Sequence, residues 1–346
     1  MTRRQLMFAA PAAALAARLR AQPGAPFPLE AFNHLTLTVT DPKRSVEFYQ
    51  ALFGMPVHAR QGPTTLLRIG DGPQFLAIGG GPNATPAINH FCVTTPHFDL
   101  DRALKALAAH GLTKAEDGAR GGGLAGGAMK FRVRMRGENL GGAKGGTPEL
   151  YIGDPDGLVV QLQDTTYCGG AGALGEICPA PEPSPHQGLI ALRDISHFTI
   201  FVSDAQRSMA FYQGLFGMPI QVHQGPSTPL LAVGSKREFL TVVGIGPGRN
   251  GAPPRPASIN HACFTMENFD PDRVMKTLAG FGLKPRENAR GPAGPLTCYV
   301  SMRMENRGGA KDGTPELYFT DPDGILLQIQ DTTYCGGAGK MGEVCS

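Results

Sequence analysis

Apolar and polar residues alternate along several short stretches of the chain, in the pattern of β-strands whose two faces have different surroundings. The stretch His34–Val39 reads HLTLTV and alternates in this way. Asp41 followed by proline then predicts the start of a helix with one apolar side, and Gly54 predicts its end. Apolar strands follow over residues 66–78, so this segment predicts one βαβββ unit.

The same order of elements begins again at His90. A helix is predicted from about Asp99 to His110, with Gly111 as its stop. Strands are then predicted through the residues Phe131, Leu150 and Val160. Residues 30–178 therefore read as two consecutive βαβββ units.

A long internal repeat divides the chain into two copies. FNHLTLTVTDPKRSVEFYQALFGMP begins at Phe32, and ISHFTIFVSDAQRSMAFYQGLFGMP begins at Ile195. We predict a first domain over 30–178 and a second over 192–346, joined by a Pro-rich linker over 179–191 with the composition of an exposed spacer. Because duplicated domains start with self-complementary surfaces, we expect the copies to pack as one unit about an approximate two-fold axis.

Composition and charge narrow the function classes. The 346 residues are 41% hydrophobic and 18% charged, which suits ordinary soluble cores, and the 47 glycines and 30 prolines indicate many turns. The net charge of +3 is small and spread along the chain, so we expect neither a nucleic-acid partner nor an anionic membrane surface.

Residues 1–29 have the features of a targeting segment. Arg3 and Arg4 precede the apolar stretch Leu6–Ala17, which is too short to cross a membrane. A twin arginine before such a stretch resembles a Tat export signal, which implies a periplasmic or secreted protein without a membrane anchor after the signal is removed. The alternative is a basic tail with no targeting role.

Four cysteines are spaced identically in the two copies. Cys168 and Cys178 flank a Gly-rich segment, and Cys335 and Cys345 flank its counterpart. Equal spacing together with an export signal predicts the disulfides Cys168–Cys178 and Cys335–Cys345. No C-x-x-C motif is present, which makes a zinc ribbon an unsuitable interpretation.

Polar side chains share strand faces in a way that predicts a polar cavity. His34 shares one face of its strand with Thr36 and Thr38, whereas the leucines point the other way. Gln161 and Gln163 likewise lie opposite apolar neighbours. Strands with this pattern are typical of cavity walls.

The motif F-Y-x-x-L-F-G-M-P after the first helix, combined with D-P-D-G before the last strand, resembles the vicinal oxygen chelate superfamily of glyoxalases, bleomycin-resistance proteins and extradiol dioxygenases. The resemblance covers residues 30–178 and 192–345. It implies an α+β fold of tandem duplicated domains, in which each pair of βαβββ modules forms a half-open barrel around one metal ion.

The resemblance also implies the metal ligands. They are His34, His90 and Gln161 in the first copy, and His197, His261 and Gln328 in the second. These donors suit one divalent transition metal per domain, and Fe, Mn, Zn, Cu, Co and Ni all remain open. Relatives usually carry glutamate where this chain has glutamine, and a neutral amide binds a divalent ion more weakly. The alternative is a metal-free cavity.

Further residues near the ligands have candidate roles. Tyr151 and Tyr318 match the position of a substrate-bonded tyrosine in extradiol dioxygenases, and packing within the hairpin is the alternative. Cys92 and Cys263 share a strand face with His90 and His261, and they either line the cavity or act as small buried hydrophobic residues. Glu149 and Glu316 share a strand face with these tyrosines; they are expected to be hairpin charges that face solvent, and a substitute for the ligand carboxylate is the alternative.

These features predict a metal-dependent enzyme that acts on a small oxygenated organic substrate, with an extradiol-dioxygenase-like oxidoreductase as the leading hypothesis. The alternatives are a glyoxalase-like isomerase or lyase, and a metal-free protein that binds a small molecule as bleomycin-resistance proteins do. A fold of this kind hosts several chemistries, so the site has to decide between them.

Overall fold

The computed structural model of this chain describes residues 24–116, 123–247, 253–287 and 293–345. Most of the predicted export signal, residues 1–23, lies outside the described residues. Each copy forms one mixed nine-stranded sheet. The fold class is therefore α+β with two tandem domains, as the sequence predicted.

The first copy contains the two predicted modules, with one additional two-residue strand, β6, and one 3-10 turn over Glu138–Leu140. Its strands and helices are β1 Ala31–Val39, α1 Pro42–Phe53, β2 Val57–Gln61, β3 Thr64–Arg68, β4 Phe75–Gly80, β5 Ala87–Thr95, α2 Leu100–Ala109, β6 Thr113–Lys114, β7 Lys130–Arg136, β8 Thr147–Gly153 and β9 Val159–Asp164.

The second copy repeats this order of elements, including the short strand and a 3-10 turn over Glu305–Arg307. Its strands and helices are β10 Ile195–Val202, α3 Ala205–Phe216, β11 Ile220–His223, β12 Pro229–Ala232, β13 Phe239–Gly244, β14 Ser258–Met266, α4 Pro271–Phe281, β15 Lys284–Pro285, β16 Thr297–Arg303, β17 Thr314–Thr320 and β18 Leu326–Asp331.

The strand order places the first strands of the two modules side by side. In the first sheet the order is β2-β3-β4-β1-β5-β9-β8-β7-β6, and the second sheet has the corresponding order β11-β12-β13-β10-β14-β18-β17-β16-β15. Strands β1 and β5 are antiparallel neighbours, and β9 runs parallel to β5 on its other side. Neither sheet closes on itself, which leaves a half-open concave face.

The helices begin where the sequence predicted them. The Asp41 side chain accepts a hydrogen bond from the Arg44 backbone N–H, which caps α1, and Gly54 ends the helix in the left-handed conformation with φ 68°. Asp99 caps α2 in the same way, but α2 ends one residue earlier than predicted, with His110 rather than Gly111 as the C-cap.

One continuous hydrophobic core runs through both copies. Phe32 and Phe91 of the first copy pack against Phe198 of the second, with ring centroids 4.8 Å apart in each of these contacts. Burying such aromatic surface is a main source of stability. The two copies therefore fold against each other, as expected for duplicated domains.

The D-P-D-G turn of each copy is held by the first helix of the other copy. The Tyr212 hydroxyl donates to Asp154 over 3.1 Å, and the Tyr49 hydroxyl donates to Asp321 over 3.2 Å. The second aspartate of each turn, Asp156 or Asp323, bonds in the same reciprocal way to the opposite helix start through Ser203 and Arg207 or through Thr40 and Arg44. These paired contacts give the approximate two-fold relation that the repeat predicted.

Segments before the first strand of each copy cross to the other copy. The Phe27 backbone N–H donates to the Leu215 carbonyl over 3.3 Å, and the Ile190 N–H donates to the Leu52 carbonyl over 3.1 Å. Phe27 and Ile190 are buried, so packed structure begins before residue 30 in the first copy and before residue 192 in the second.

Most residues of the linker over 179–191 are exposed or half-buried, and hydrogen bonds attach the linker to the first copy. Val57 and Glu182 exchange two backbone hydrogen bonds of 2.9 and 2.8 Å, and the side chains of Arg60 and Glu182 form an ion pair. Its prolines favour an extended backbone. The same composition is expected in a free spacer and in a segment that crosses a protein surface.

Cys168 and Cys178 form one disulfide, and Cys335 and Cys345 form the other, as predicted. Disulfides persist in oxidising compartments, so these bonds favour an exported protein. Within the described residues, no helix has both the length and the apolar character required to cross a membrane.

Candidate metal centres

The sheet register brings the three predicted ligands of the first copy together. His34 on β1 lies opposite Cys92 on β5, and His90 on the same strand lies opposite Thr36. Gln161 on β9 pairs with Cys92 from the other side. The two histidines and the glutamine therefore project from three neighbouring strands toward one region of the concave face.

Their polar atoms converge on a common point. His34 Nε2 and His90 Nε2 each lie 3.1 Å from Gln161 Oε1. The Thr36 hydroxyl lies 3.2 Å from His90 Nε2. All three candidate ligands are buried.

Asparagine side chains set which nitrogen of each histidine faces the site. Asn33 Nδ2 donates to the Tyr167 carbonyl, which leaves its Oδ1 2.8 Å from His34 Nδ1. Asn89 Oδ1 lies 2.9 Å from His90 Nδ1. An oxygen acceptor at Nδ1 keeps the ring proton there, so each Nε2 presents a lone pair to the site.

The second copy repeats this arrangement with one change. Asn260 Oδ1 lies 2.8 Å from His261 Nδ1, whereas a serine hydroxyl, Ser196 Oγ, lies 3.2 Å from His197 Nδ1. Gln328 lines the same cavity as both histidines, and neither atom of its amide has a hydrogen-bond partner among the described residues.

Burial keeps these histidines neutral near neutral pH. It lowers the pKa of His90 to about 4 and that of His261 to about 4. It also lowers the pKa of His34 and His197 well below the ordinary value, and the neighbouring histidine acts in the same direction. A neutral imidazole is the form that binds a metal ion.

The residues present fit a divalent metal ion. In the first copy, two imidazole lone pairs and an amide oxygen approach each other within hydrogen-bond distance, although all three atoms are acceptors in this arrangement. The Gln161 Nε2 points elsewhere and has no partner among the described residues. A cation between the three acceptors removes their mutual repulsion, and imidazole with an amide oxygen suits a borderline transition metal.

Tyr151 lines the first cavity and is fixed by a buried ionic network. Its hydroxyl donates to Glu149 over 3.0 Å, and the Tyr167 hydroxyl donates to the same carboxylate over 3.0 Å. Arg136, fully buried, donates from Nε to Glu149 over 2.7 Å. The Tyr151 ring packs edge-on against His90, with centroids 5.4 Å apart.

The corresponding network in the second copy joins Arg303, Glu316, Tyr318 and Tyr334. The expectation that Glu149 and Glu316 face solvent is therefore wrong, since both are buried in ion pairs. Alternation along the hairpin places each glutamate on the same strand face as the tyrosine. Only the packing of a buried arginine from the adjacent strand makes this face interior.

The assignment of Cys92 and Cys263 as cavity-lining residues needs correction. Both are fully buried, and neither is among the residues that line the two cavities. Burial raises the pKa of both thiols well above the ordinary value, and the nearby carboxylate of Glu149 or Glu316 adds to this effect. They are small buried residues outside the cavity lining, which was the alternative interpretation.

Two cavities open above the candidate ligands. The first has a volume of about 190 Å³ and the second about 320 Å³. Arg134 is the only charged side chain lining the first cavity in the described part of the chain. Arg307 and Glu316 line the second, so the two cavities differ in size and in the charged side chains that line them.

Sequence reasoning missed the residues that orient the histidines and the arginines near the cavities. A signal for the first group was present, because asparagine directly precedes histidine at Asn33, Asn89 and Asn260. Among the described residues, a separate cluster of His58, Cys168 and Cys178 has metal-ligand spacing. Its cysteines are bonded to each other and offer no thiolate, so it is not a metal site.

Comparison with known proteins gives the relatives of this chain. The sequence profile of the Glyoxalase/Bleomycin resistance protein/Dioxygenase superfamily matches residues 31–162 and 194–329. The glutathione transferase FosA of Serratia marcescens is 30% identical over 89 residues. That match spans 25% of this chain and 63% of FosA, so the chain covers less than two thirds of this relative.

Solved structures share the fold at low sequence identity. The homoprotocatechuate 2,3-dioxygenase of Arthrobacter globiformis superimposes with a TM-score of 0.57 at 18% identity, covering 89% of this chain and 81% of the other. The Mn(II)-bound glyoxalase of Novosphingobium aromaticivorans gives a TM-score of 0.56 at 14% identity, covering 88% and 82%.

The profile match covers both copies, and each copy carries the module order and strand register described above. This chain belongs to the Glyoxalase/Bleomycin resistance protein/Dioxygenase superfamily.

Proposed function

We propose that each copy binds one divalent transition metal ion and that the loaded protein acts on a small oxygenated organic substrate as an extradiol-dioxygenase-like oxidoreductase. The proposed ligands are His34, His90 and Gln161 in the first copy and His197, His261 and Gln328 in the second. Solved structures of the same fold include a Mn(II)-bound glyoxalase and a catechol 2,3-dioxygenase, which supports a divalent metal in this chain.

One observation carries the proposal. The Nε2 atoms of His34 and His90 lie 3.1 Å from the same Gln161 oxygen. Their Nδ1 atoms are tied to asparagine oxygens, so the Nε2 lone pairs are turned toward that oxygen. Three mutually repelling acceptors in a buried position are the arrangement that a cation stabilises.

The side chains around the site would then position the substrate. A bound divalent ion supplies Lewis-acid activation of substrate oxygens. Tyr151 keeps its proton, because burial and the Glu149 carboxylate raise its pKa well above the ordinary value. Since its O–H already donates to Glu149, its oxygen remains free to accept a hydrogen bond from a substrate hydroxyl. Tyr318 is proposed to act in the same way in the second copy.

A glyoxalase-like isomerase or lyase is a second candidate, and one observation favours it. Glu316 lines the second cavity beside Tyr318, so a carboxylate faces the space where a substrate would lie. Such a group has the chemistry of a general base for proton transfer next to a metal-bound carbonyl. Oxygen consumption with a catechol substrate separates the two reactions, because isomerisation consumes no dioxygen.

Metal analysis of protein purified without a histidine tag tests the shared part of both candidates. We expect about one equivalent of metal per copy in the wild type and loss of metal from the double variant His90→Ala, His261→Ala, because each site loses one of its ligands. Asn89→Ala is a milder comparison variant, since it removes only the group that orients His90. Unchanged metal content in the double variant contradicts the proposed site.

We also propose that the protein is exported by the Tat route, in line with the twin arginine at Arg3 and Arg4 and with the two disulfides. Replacing both arginines by lysine should trap the protein in the cytoplasm if the route is correct. Cell fractionation measures this, and unchanged export of the variant argues against the Tat assignment.

A further inference from the structure

The charges around the first cavity do not balance once a metal ion is added. Imidazole and amide groups bind a metal in their neutral form, so His34, His90 and Gln161 offset none of the charge of a divalent cation. Arg136 and Glu149 neutralise each other through a 2.7 Å ion pair. The site therefore retains the full charge of the metal in a poorly solvated cavity, which is unfavourable without an anion.

Arg134 adds a further positive charge at the same place. It lines the first cavity, and its Nη1 lies 3.8 Å from a Glu149 oxygen that already accepts from Tyr151. At this distance it makes no hydrogen bond to the carboxylate, and its side chain is 41% exposed.

The second copy lacks this charge at the equivalent position. Ser301 stands there in the repeat, on strand β16. The arginine of the second cavity, Arg307, comes instead from the 3-10 turn and lies against the turn at Gly225, where the first copy has Leu140 next to Gly62. Glu316 lines this cavity too, but it is neutralised by Arg303 through a 2.6 Å ion pair. Among the described residues, the second cavity therefore has its unpaired arginine at a different position.

We propose that Arg134 is a specificity-determining residue that makes the first site select oxygen chelators carrying an additional negative charge, such as a carboxylate. The inference rests on the proposed metal site, since the metal holds the chelating oxygens while Arg134 contacts the second charged group. The guanidinium presents several donors in one plane and is suited to a carboxylate or a phosphonate. The second site has Ser301 at this position and lacks this particular contact.

Binding of a matched pair of chelators tests this without relying on turnover. Catechol and protocatechuate share the same chelating hydroxyls, and only protocatechuate carries a carboxylate. The double variant His197→Ala, His261→Ala leaves only the first site, which is loaded with Co(II) and titrated with each compound while the visible Co(II) spectrum is recorded. The measured quantity is the ratio of the two affinities, which cancels the intrinsic chelating strength of each compound.

In this background we expect Arg134→Ser to lower the preference for protocatechuate by about tenfold or more, the usual size of one charge-assisted hydrogen bond, while catechol binding stays nearly constant. Arg134→Lys should retain much of the preference because it keeps the charge. In the reciprocal background His34→Ala, His90→Ala, the substitution Ser301→Arg should raise the preference at the second site.

An unchanged ratio in Arg134→Ser, with Co(II) content and catechol binding intact, overturns the role of Arg134. Equal loss of both compounds also overturns it, because the residue would then support the site generally instead of reading charge. Absence of bound Co(II) from the parent protein is a different result: it rejects the proposed metal centre itself and is recognised before any chelator is added.

Discussion

The two copies agree in the residues nearest the candidate metal and differ in the residues one layer out. Both have two histidines and a glutamine on equivalent strands, and both support a tyrosine with a buried arginine–glutamate pair. The first copy has Arg134 where the second has Ser301. The cavities therefore differ in the position of their lining arginine, through substitutions that leave the strand register unchanged.

This comparison indicates where duplication has left freedom to change. The strands that carry the ligands also form the core shared by both copies, so substitutions there would affect folding as well as binding. The charged residues that differ, Arg134 and Arg307, lie on the outer strand β7 and in a 3-10 turn, where a new side chain meets solvent or the cavity. A duplicated protein can diverge in substrate preference at such positions while both sites keep the same ligand geometry.

The largest effect should come from breaking the buried ion pair, and it should differ between the copies. Arg303→Met leaves Glu316 buried without a cation, which we expect to lower the free energy of unfolding by about 3–5 kcal/mol. Arg136→Met should lower the free energy of unfolding by only about 1 kcal/mol, because Arg134 remains 3.8 Å from Glu149. Urea unfolding of the two variants measures the difference.

The matched control removes the unpaired charge. Adding Glu316→Gln to Arg303→Met should restore part of the lost stability, since a neutral amide is less costly to bury than a carboxylate. Equal losses for Arg303→Met and Arg136→Met would contradict the view that Arg134 shares the Glu149 carboxylate.

Removing the disulfide should lower the free energy of unfolding by the same amount in each copy. Each bond joins cysteines separated by 10 residues in sequence. We expect Cys168→Ser, Cys178→Ser and the corresponding pair Cys335→Ser, Cys345→Ser each to lower the free energy of unfolding by about 3 kcal/mol, because loops of equal length lose the same entropy in the unfolded chain.

Peptide mass mapping of non-reduced protein from the oxidising compartment establishes the bonds first. Four free thiols at these positions would remove both disulfides and much of the support for export. A clearly larger loss for one pair would instead show that its loop holds further structure, for example through the 2.8 Å hydrogen bond from Arg136 to the Gly170 carbonyl.

The smallest effect concerns a pair of equivalent residues at the junction of the copies. Gln74 accepts from the Ile195 N–H over 3.0 Å and donates to the Phe32 carbonyl over 2.9 Å. Its counterpart Glu238 accepts from the Phe32 N–H over 2.6 Å, but its other oxygen has no hydrogen-bond partner among the described residues. Glu238→Gln should therefore stabilise the protein by about 1 kcal/mol at pH 8, and Gln74→Glu should destabilise it.

The pH dependence gives the sign of this effect. Burial raises the pKa of Glu238 from 4.5 to about 8, despite the favourable Phe32 hydrogen bond and the nearby Lys236. The folded protein then holds a proton that the unfolded chain has lost between these pH values, so the free energy of unfolding falls as pH rises through this window. Glu238→Gln should remove this part of the slope, and an unaltered slope would show that the carboxyl group is solvated.

Much of the fold followed from local patterns in the sequence. Alternation at His34–Val39 gave the first strand, and Asp41 with Gly54 gave the first helix, because caps and strand faces depend on a few neighbouring residues. The attachment of the linker to the first copy did not follow from its composition, since prolines favour an extended chain both in a free spacer and in a segment hydrogen-bonded to Val57.

By itself the sequence determined the duplication, the order of modules, the cysteine pairing and the polar strand faces, all of which depend on repetition or on residues close together in the chain. Only the tertiary structure decided that Glu149 is buried against Arg136, that Cys92 lies outside the cavity lining, and that Arg134 faces the cavity. These outcomes depend on which strands become neighbours and on how the sheet curves. The burial of a charge or thiol is set by partners distant in sequence, and alternation along one strand gives its face but not what covers that face.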